Sequence, residues 1–226
     1  MGWKISAIII HPAPETDALP LLRDLGFPEL YKIEDEPFEV AMNPDDNKIY
    51  LGTCKNNLLI CAQTIPLMFL DEGLSDAEQF LTAKFPQAEI CSVVLHSVVN
   101  LWGYAVVKNG RKVRARAGSS DDGTFLETGE PLEEEKELLQ QSTINEQGSR
   151  IYRLHDNPQD ALSEDQVGEN FVFEICKRYF GVPLNEDDEL LFETTLSGYS
   201  YSVQGARPRD AAPEPVKAAK PWYKFW

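Results

Sequence analysis

The sequence predicts an α+β domain built on a predominantly antiparallel sheet with at least three helices. Three observations carry this expectation. Short β-branched runs recur between clusters of turn residues. Asn109-Gly110, the preferred pair for a two-residue hairpin turn, separates two alternating segments. Two serine-led capping boxes each open an apolar helical pattern. Strands and helices do not alternate regularly enough for a doubly wound parallel sheet.

The elements follow in chain order. Residues 3–10 read as a first strand, because Ile5 and the run Ile8-Ile9-Ile10 need burial. Residues 16–25 suit a short helix ended by Gly26. Residues 30–33 and 38–42 look like short strands around an acidic turn. Asn43-Pro44-Asp45-Asp46-Asn47 is turn chemistry, and residues 48–54 and 58–63 then form two strands of a meander. Ser75-Asp76-Ala77-Glu78 caps a helix that ends near Phe85, and residues 90–99 form a β-branched strand.

The hairpin over 101–117 allows a register to be written. Pairing Lys108 with Arg111 puts Trp102, Tyr104, Val106, Val113, Ala115 and Ala117 on one face. Leu101, Gly103, Ala105, Val107, Lys112, Arg114 and Arg116 share the other. Residues 118–123 read as a loop. Pro131 suits the first position of a glutamate-rich helix over 132–141. Residues 150–154 form a short strand after Gly148. Ser163-Glu164-Asp165-Gln166 is the second capping box, and Val167, Phe171, Ile175 and Tyr179 make the apolar stripe of the helix behind it. Gly181 and Pro183 end that helix, and one or two strands fill 192–203. The domain therefore spans residues 1–203. Residues 204–226 are rich in Pro and Ala, lack apolar periodicity and read as a linker with an aromatic tail.

Three stretches have a familiar pattern: VVNLWGYAVVKNGRKVRARAGSSDDG at 98–123, GEPLEEEKEL at 129–138 and DQVGENFVFEICKRYFG at 165–181. With the Met-Gly-Trp-Lys start, they resemble a family of small bacterial proteins of unknown function. The resemblance covers roughly the first 200 residues. It implies a bacterial, soluble protein and transfers no catalytic or binding residue.

Composition narrows the function. The 226 residues carry 21 basic and 37 acidic side chains, a formal charge of −16. That balance argues against nucleic acid, whose phosphates need a concentrated basic surface, and leaves open a basic protein partner. No apolar run approaches the ~18–20 residues of a spanning helix. Lys4 and the apolar run behind it lack a cleavage site, so a secretory signal is not expected. Residues 1–6 match the myristoylation pattern, but the buried-strand reading accounts for them. Cys54, Cys61, Cys91 and Cys176 all sit in apolar stretches with no zinc spacing, which points to free thiols in a reducing cytoplasm.

Candidate chemistry is sparse, and no metal or cofactor is expected. His11, His96 and His155 are the histidines available as general bases, and His96, inside an apolar strand, reads as a hydrogen-bonded structural residue. Asp45-Asp46 and Asp121-Asp122 lack calcium-loop spacing and read as solvated turn formers. Lys112, Arg114 and Arg116 form a basic stripe on one strand face, offset by Glu133, Glu134, Glu135 and Glu137 or by an external anion or acidic partner. The tail ends in Trp222, Tyr223, Phe225 and Trp226, where residues 204–226 hold five basic and two acidic side chains. Such aromatics fold back, anchor a partner or touch a membrane interface. The expectation is a non-enzymatic, cytoplasmic interaction protein, in its specific form an immunity- or inhibitor-type protein masking a basic partner. The alternative is an enzyme or ligand-binding protein holding an anionic small molecule on Arg114 and Arg116.

Overall fold

The computed structural model describes residues 2–27, 29–154 and 161–202. Its elements run β1 (Lys4–His11), α1 (Ala18–Asp24), β2 (Leu30–Lys32), β3 (Glu36–Pro37), α2 (Phe38–Ala41), β4 (Lys48–Cys54), β5 (Asn57–Ala62) and α3 (Asp76–Lys84). β6 (Glu89–His96), β7 (Leu101–Lys108), β8 (Arg111–Ser119), β9 (Gly123–Gly129) and α4 (Glu133–Gln140) follow. β10 (Ser142–Ile144), β11 (Arg150–Tyr152), β12 (Leu162–Ser163), α5 (Glu164–Phe180) and β13 (Thr195–Tyr201) come last among the described residues. No described helix is long and apolar enough to cross a membrane.

The α+β class holds. A ten-stranded sheet has the order β2-β13-β4-β5-β1-β6-β7-β8-β9, with β3 also on β13. Every pairing in it is antiparallel. β10, β11 and β12 form a separate small sheet. β1 lies at the centre, between β5 and β6, and its alternation splits the core in two. Ile5, Ala7 and Ile9 face α5, α2 and α4. Ile8 and Ile10 face α1, α3 and the turn Pro66–Phe69. Burial on both faces is why β1, β5 and β6 read as continuous apolar runs rather than as alternating ones.

The turns and caps explain much of the local structure. Asn109 and Gly110 both have positive φ, 52° and 72°, as a type I′ turn requires. Lys55 and Asn56 do the same between β4 and β5, at 47° and 61°. At α3 the Ser75 hydroxyl accepts from the Glu78 N–H at 3.3 Å, and the Glu78 carboxylate accepts from the Ser75 N–H at 2.6 Å. At α5 the Gln166 side chain accepts from the Ser163 N–H at 2.9 Å. The expected stripe of Val167, Phe171, Ile175 and Tyr179 is buried throughout.

Several local expectations are corrected. In 38–42, where a strand was expected, Phe38–Ala41 form the single turn α2 and Met42 caps it. Phe38, Ala41 and Met42 are buried while Glu39 and Val40 are exposed, which is helical and not alternating burial. β8 continues through Ser119 and turns into β9, a strand not anticipated in the glycine-rich segment. Pro131 precedes the N-cap Leu132 instead of opening α4. A π-helical turn, Glu189–Glu193, precedes β13 where strand was expected.

The largest correction concerns the hairpin. Val107 pairs with Lys112, but Val106 pairs with Arg114, so Val113 is an extra residue in β8. A β-bulge of this kind reverses the facing of everything beyond it. Arg114 and Arg116 therefore share the face of Trp102, Tyr104 and Val106, under α5. Ala115 and Ala117 join Ala105 and Val107 on the opposite core, and Val113 is turned outward.

Candidate functional site

The basic stripe is not a surface patch. The Lys112 side chain is 5% exposed and its ammonium donates to the carbonyls of Phe69, Asp71 and Gly73, each at 2.7 Å. It also meets the Glu78 carboxylate at 3.0 Å. Arg114, 1% exposed, holds Glu135 through Nε at 2.9 Å and Nη2 at 2.6 Å, and reaches Glu127 at 3.1 Å. Burial disfavours its charge, but the Glu135 carboxylate raises the guanidinium pKa above its ordinary value. Arg116 is fully buried. It pairs with Glu164 at the first turn of α5, and the Tyr152 hydroxyl donates to the same carboxylate at 2.7 Å. The Arg116 guanidinium lies 4.3 Å from the Phe171 ring centroid and 5.4 Å from that of Trp102. Of the acidic helix expected to offset the stripe, Glu135 alone meets it. Glu78, Glu127 and Glu164 supply the rest. Both guanidinium groups thus lie in the core, each against carboxylates of the chain itself.

A polar cleft of about 380 Å3 opens where β1, β6 and β7 meet α5. His11, Glu89, Lys108, Glu134, Arg178 and Tyr179 line it. The Asn57 amide nitrogen lies 2.9–3.2 Å from the carbonyls of Cys54, Lys55 and Tyr179, so the other amide atom is the oxygen. That oxygen is 2.9 Å from His11 Nδ1, which carries the proton between them. Glu89 receives Arg178 Nε at 2.5 Å, the Tyr179 hydroxyl at 3.0 Å and Lys108 at 3.2 Å. Burial works to raise the Glu89 pKa, but Arg178 above all, then Tyr179 and Lys108, hold it down to about 2. Burial pushes the Tyr179 hydroxyl well up and the Cys91 thiol to about 12. The cleft thus sets the His11 imidazole beside a locked carboxylate and an unactivated hydroxyl. Its charges, Lys108 and Arg178 against Glu89 and Glu134, cancel.

A third feature is a pair of exposed apolar side chains on two segments that pack together beside β3 and β13. α2 packs against the Glu189–Glu193 turn. Val40 and Phe192, on these two segments, are 45% and 59% exposed. Glu39, Glu189 and Glu193 on the same segments are exposed, and none forms an ion pair among the described residues.

The remaining candidates find structural places. His96 ends β6, where burial and then Lys4 favour the neutral ring. Asp45 pairs with Lys48 at 2.8 Å in its turn, and the Asp122 N–H donates to Ser119 in another. No cluster of three metal-ligating residues occurs among the described residues. His155 and the tail residues Trp222, Tyr223, Phe225 and Trp226 lie outside the described residues. Glu89, Arg178 and Asn57 escaped sequence reasoning because they converge from β6, α5 and β5. Isolated polar residues at strand and helix ends were the available signal.

A family model described as a family of unknown function (DUF6928) matches residues 12–162, about two thirds of the chain. The match includes the stretches 98–123 and 129–138 that carried the resemblance, while 165–181 lies beyond it. No curated protein and no solved structure matches the chain.

Proposed function

The chain belongs to DUF6928, a family of unknown function, and we propose that it is a non-enzymatic binding protein that presents the acidic, apolar surface beside β3 and β13 to a basic protein partner. The observation that carries this reading is the pair Val40 and Phe192, exposed on adjoining segments beside the exposed carboxylates of Glu39, Glu189 and Glu193. Exposed apolar groups rimmed by one sign of charge suit a partner with an apolar anchor and the opposite sign. The net charge of −16 steers such a partner at long range. The specific form is an inhibitor- or immunity-type protein that masks a basic surface. Three buried thiols support a reducing, cytoplasmic setting.

The test is a paired capture with the full chain and its Val40→Asp/Phe192→Asp variant, at low and high salt. A basic protein held by the full chain at low salt, and lost both in the variant and at high salt, is the expected result. The same proteins captured by both baits would overturn the reading. A third bait ending at Ala206 locates the contact: loss there alone would move recognition to Trp222, Tyr223, Phe225 and Trp226.

A further inference from the structure

The surface that exposes Val40 and Phe192 is acidic well beyond its three nearest carboxylates. Glu34, just before β3, and Asp188, just before the Glu189–Glu193 turn, are exposed as well. Within 29–46 and 186–193 the one basic side chain is Lys32, and Asp35 holds it. Asp187 is taken by Lys55 at 2.7 Å. An acidic cluster alone makes no site. Here it surrounds two large apolar side chains that face solvent, on segments packed against one another.

The chain's own last residues carry the complementary chemistry. Trp222, Tyr223, Phe225 and Trp226 are apolar anchors of low rotamer cost, and Lys220 and Lys224 stand among them. Residues 204–226 hold five basic and two acidic side chains in a chain whose formal charge is −16. The connection is long enough. β13 begins two residues after the Glu189–Glu193 turn and ends at Tyr201, and residues 202–220 follow it. A segment of that length spans up to ~60 Å, while the return along β13 is ~20 Å. A tethered segment that can span to its site meets it at about millimolar effective concentration, so a weak contact is enough. A second copy suits the surface less well, because it brings the same acidic charge.

We infer that residues 220–226 dock on the Val40 and Phe192 surface of their own chain, the aromatic rings against these two side chains and the lysines toward Glu39, Glu189 and Glu193. A basic partner then binds by displacing them. The inference rests on the reading above in taking this surface for a binding site, and adds how access to it is controlled.

A photo-crosslinking residue, p-benzoylphenylalanine, in place of Val40 or of Phe192 in the full chain tests the contact. Both positions are exposed, so the replacement leaves the core intact. Irradiation is expected to join either position to residues 221–226 of the same chain, as read by peptide mass spectrometry. High salt, or Lys220→Glu with Lys224→Glu, lowers the yield several-fold. Covalent dimers in place of that product would give the surface to a second copy and overturn the inference, as would the absence of any crosslink to 221–226. A labelled synthetic peptide of residues 220–226 is the second probe. It is expected to bind the full chain carrying Trp222→Ala/Trp226→Ala about tenfold more tightly than the unmodified chain, whose own tail competes. Equal binding to both would overturn the inference. Tail crosslinks without a captured basic protein would fail the partner reading alone, and a captured partner without tail crosslinks would fail this inference alone.

Discussion

Gly168 sits within α5, where alanine would ordinarily stabilise by ~1 kcal/mol. Here a Cβ would lie 2.0–2.3 Å from atoms of the Trp102 indole, so the helix approaches the sheet only because that side chain is missing. Gly168→Ala is expected to destabilise by ~1–3 kcal/mol, the range for overpacking a core. Urea denaturation measures it. Pairing it with Trp102→Phe should give a cost below the sum of the two, because the smaller ring makes room. Glu89 gives a pH-dependent prediction. Its pKa falls from the ordinary 4.5 to about 2 on folding. A depressed carboxylate stabilises the fold above its unfolded pKa and loses that contribution as pH falls toward the folded value. Glu89→Gln should therefore cost stability at neutral pH, with the difference from the unmodified chain shrinking between about pH 4.5 and about pH 2. Glu78 has the opposite sign, since burial raises its pKa against the pull of Ser75 and Lys112. The readout is accordingly the difference caused by Glu89→Gln and not the whole acid limb.

At the scale of elements, the β7–β8 hairpin decides where three cations go. Val113 has no partner across the ladder, and Gly129 of β9, with φ 78°, lies so close to the Val113 carbonyl that a Cβ would sit 2.0 Å from it. The bulge and its glycine fit one another. Removing Val113 leaves Lys112 opposite Val107 and Arg114 opposite Val106, so the deletion keeps every facing beyond the bulge. It is expected to cost no more than the ~0.5–3 kcal/mol of an ordinary substitution. Deleting Ala115 instead keeps Arg114 but turns the rest of the strand over, placing Arg116 against the opposite core. That variant should fail to give a cooperative unfolding transition. Circular dichroism during thermal unfolding separates the two outcomes. The Asn109-Gly110 turn was legible from its residues, because two adjacent positive φ angles select them. The bulge was not, because no residue type in Lys112-Val113-Arg114 marks which one stays unpaired.

Across the whole molecule, the sheet is sandwiched between two helical layers, and the cysteines record it. Cys61, Cys91 and Cys176 are buried, while Cys54 is partly accessible. Burial raises the thiol pKa of Cys61, Cys91 and Cys176. A thiol-specific reagent should modify Cys54 in the native protein and reach the other three only as fast as the fold opens. Mass spectrometry of the labelled chain over time checks this, and rapid labelling of Cys176 would mean that α5 detaches on its own. The His11 cleft also belongs to this scale, since it joins β1, β6, β7 and α5.

The sequence by itself determined the α+β class, the Asn-Gly hairpin, the two serine-capped helices and the apolar stripe of α5. Each of these is set by backbone preference, capping chemistry or the burial of one face within a few neighbouring residues. Only the tertiary structure decided that Arg114 and Arg116 face the core, that Phe38–Ala41 coils into α2, and that Glu89, Arg178 and His11 share a cleft. Those outcomes depend on which strands and helices lie opposite one another. A one-residue bulge in β8 and the convergence of distant elements leave no local mark in the chain.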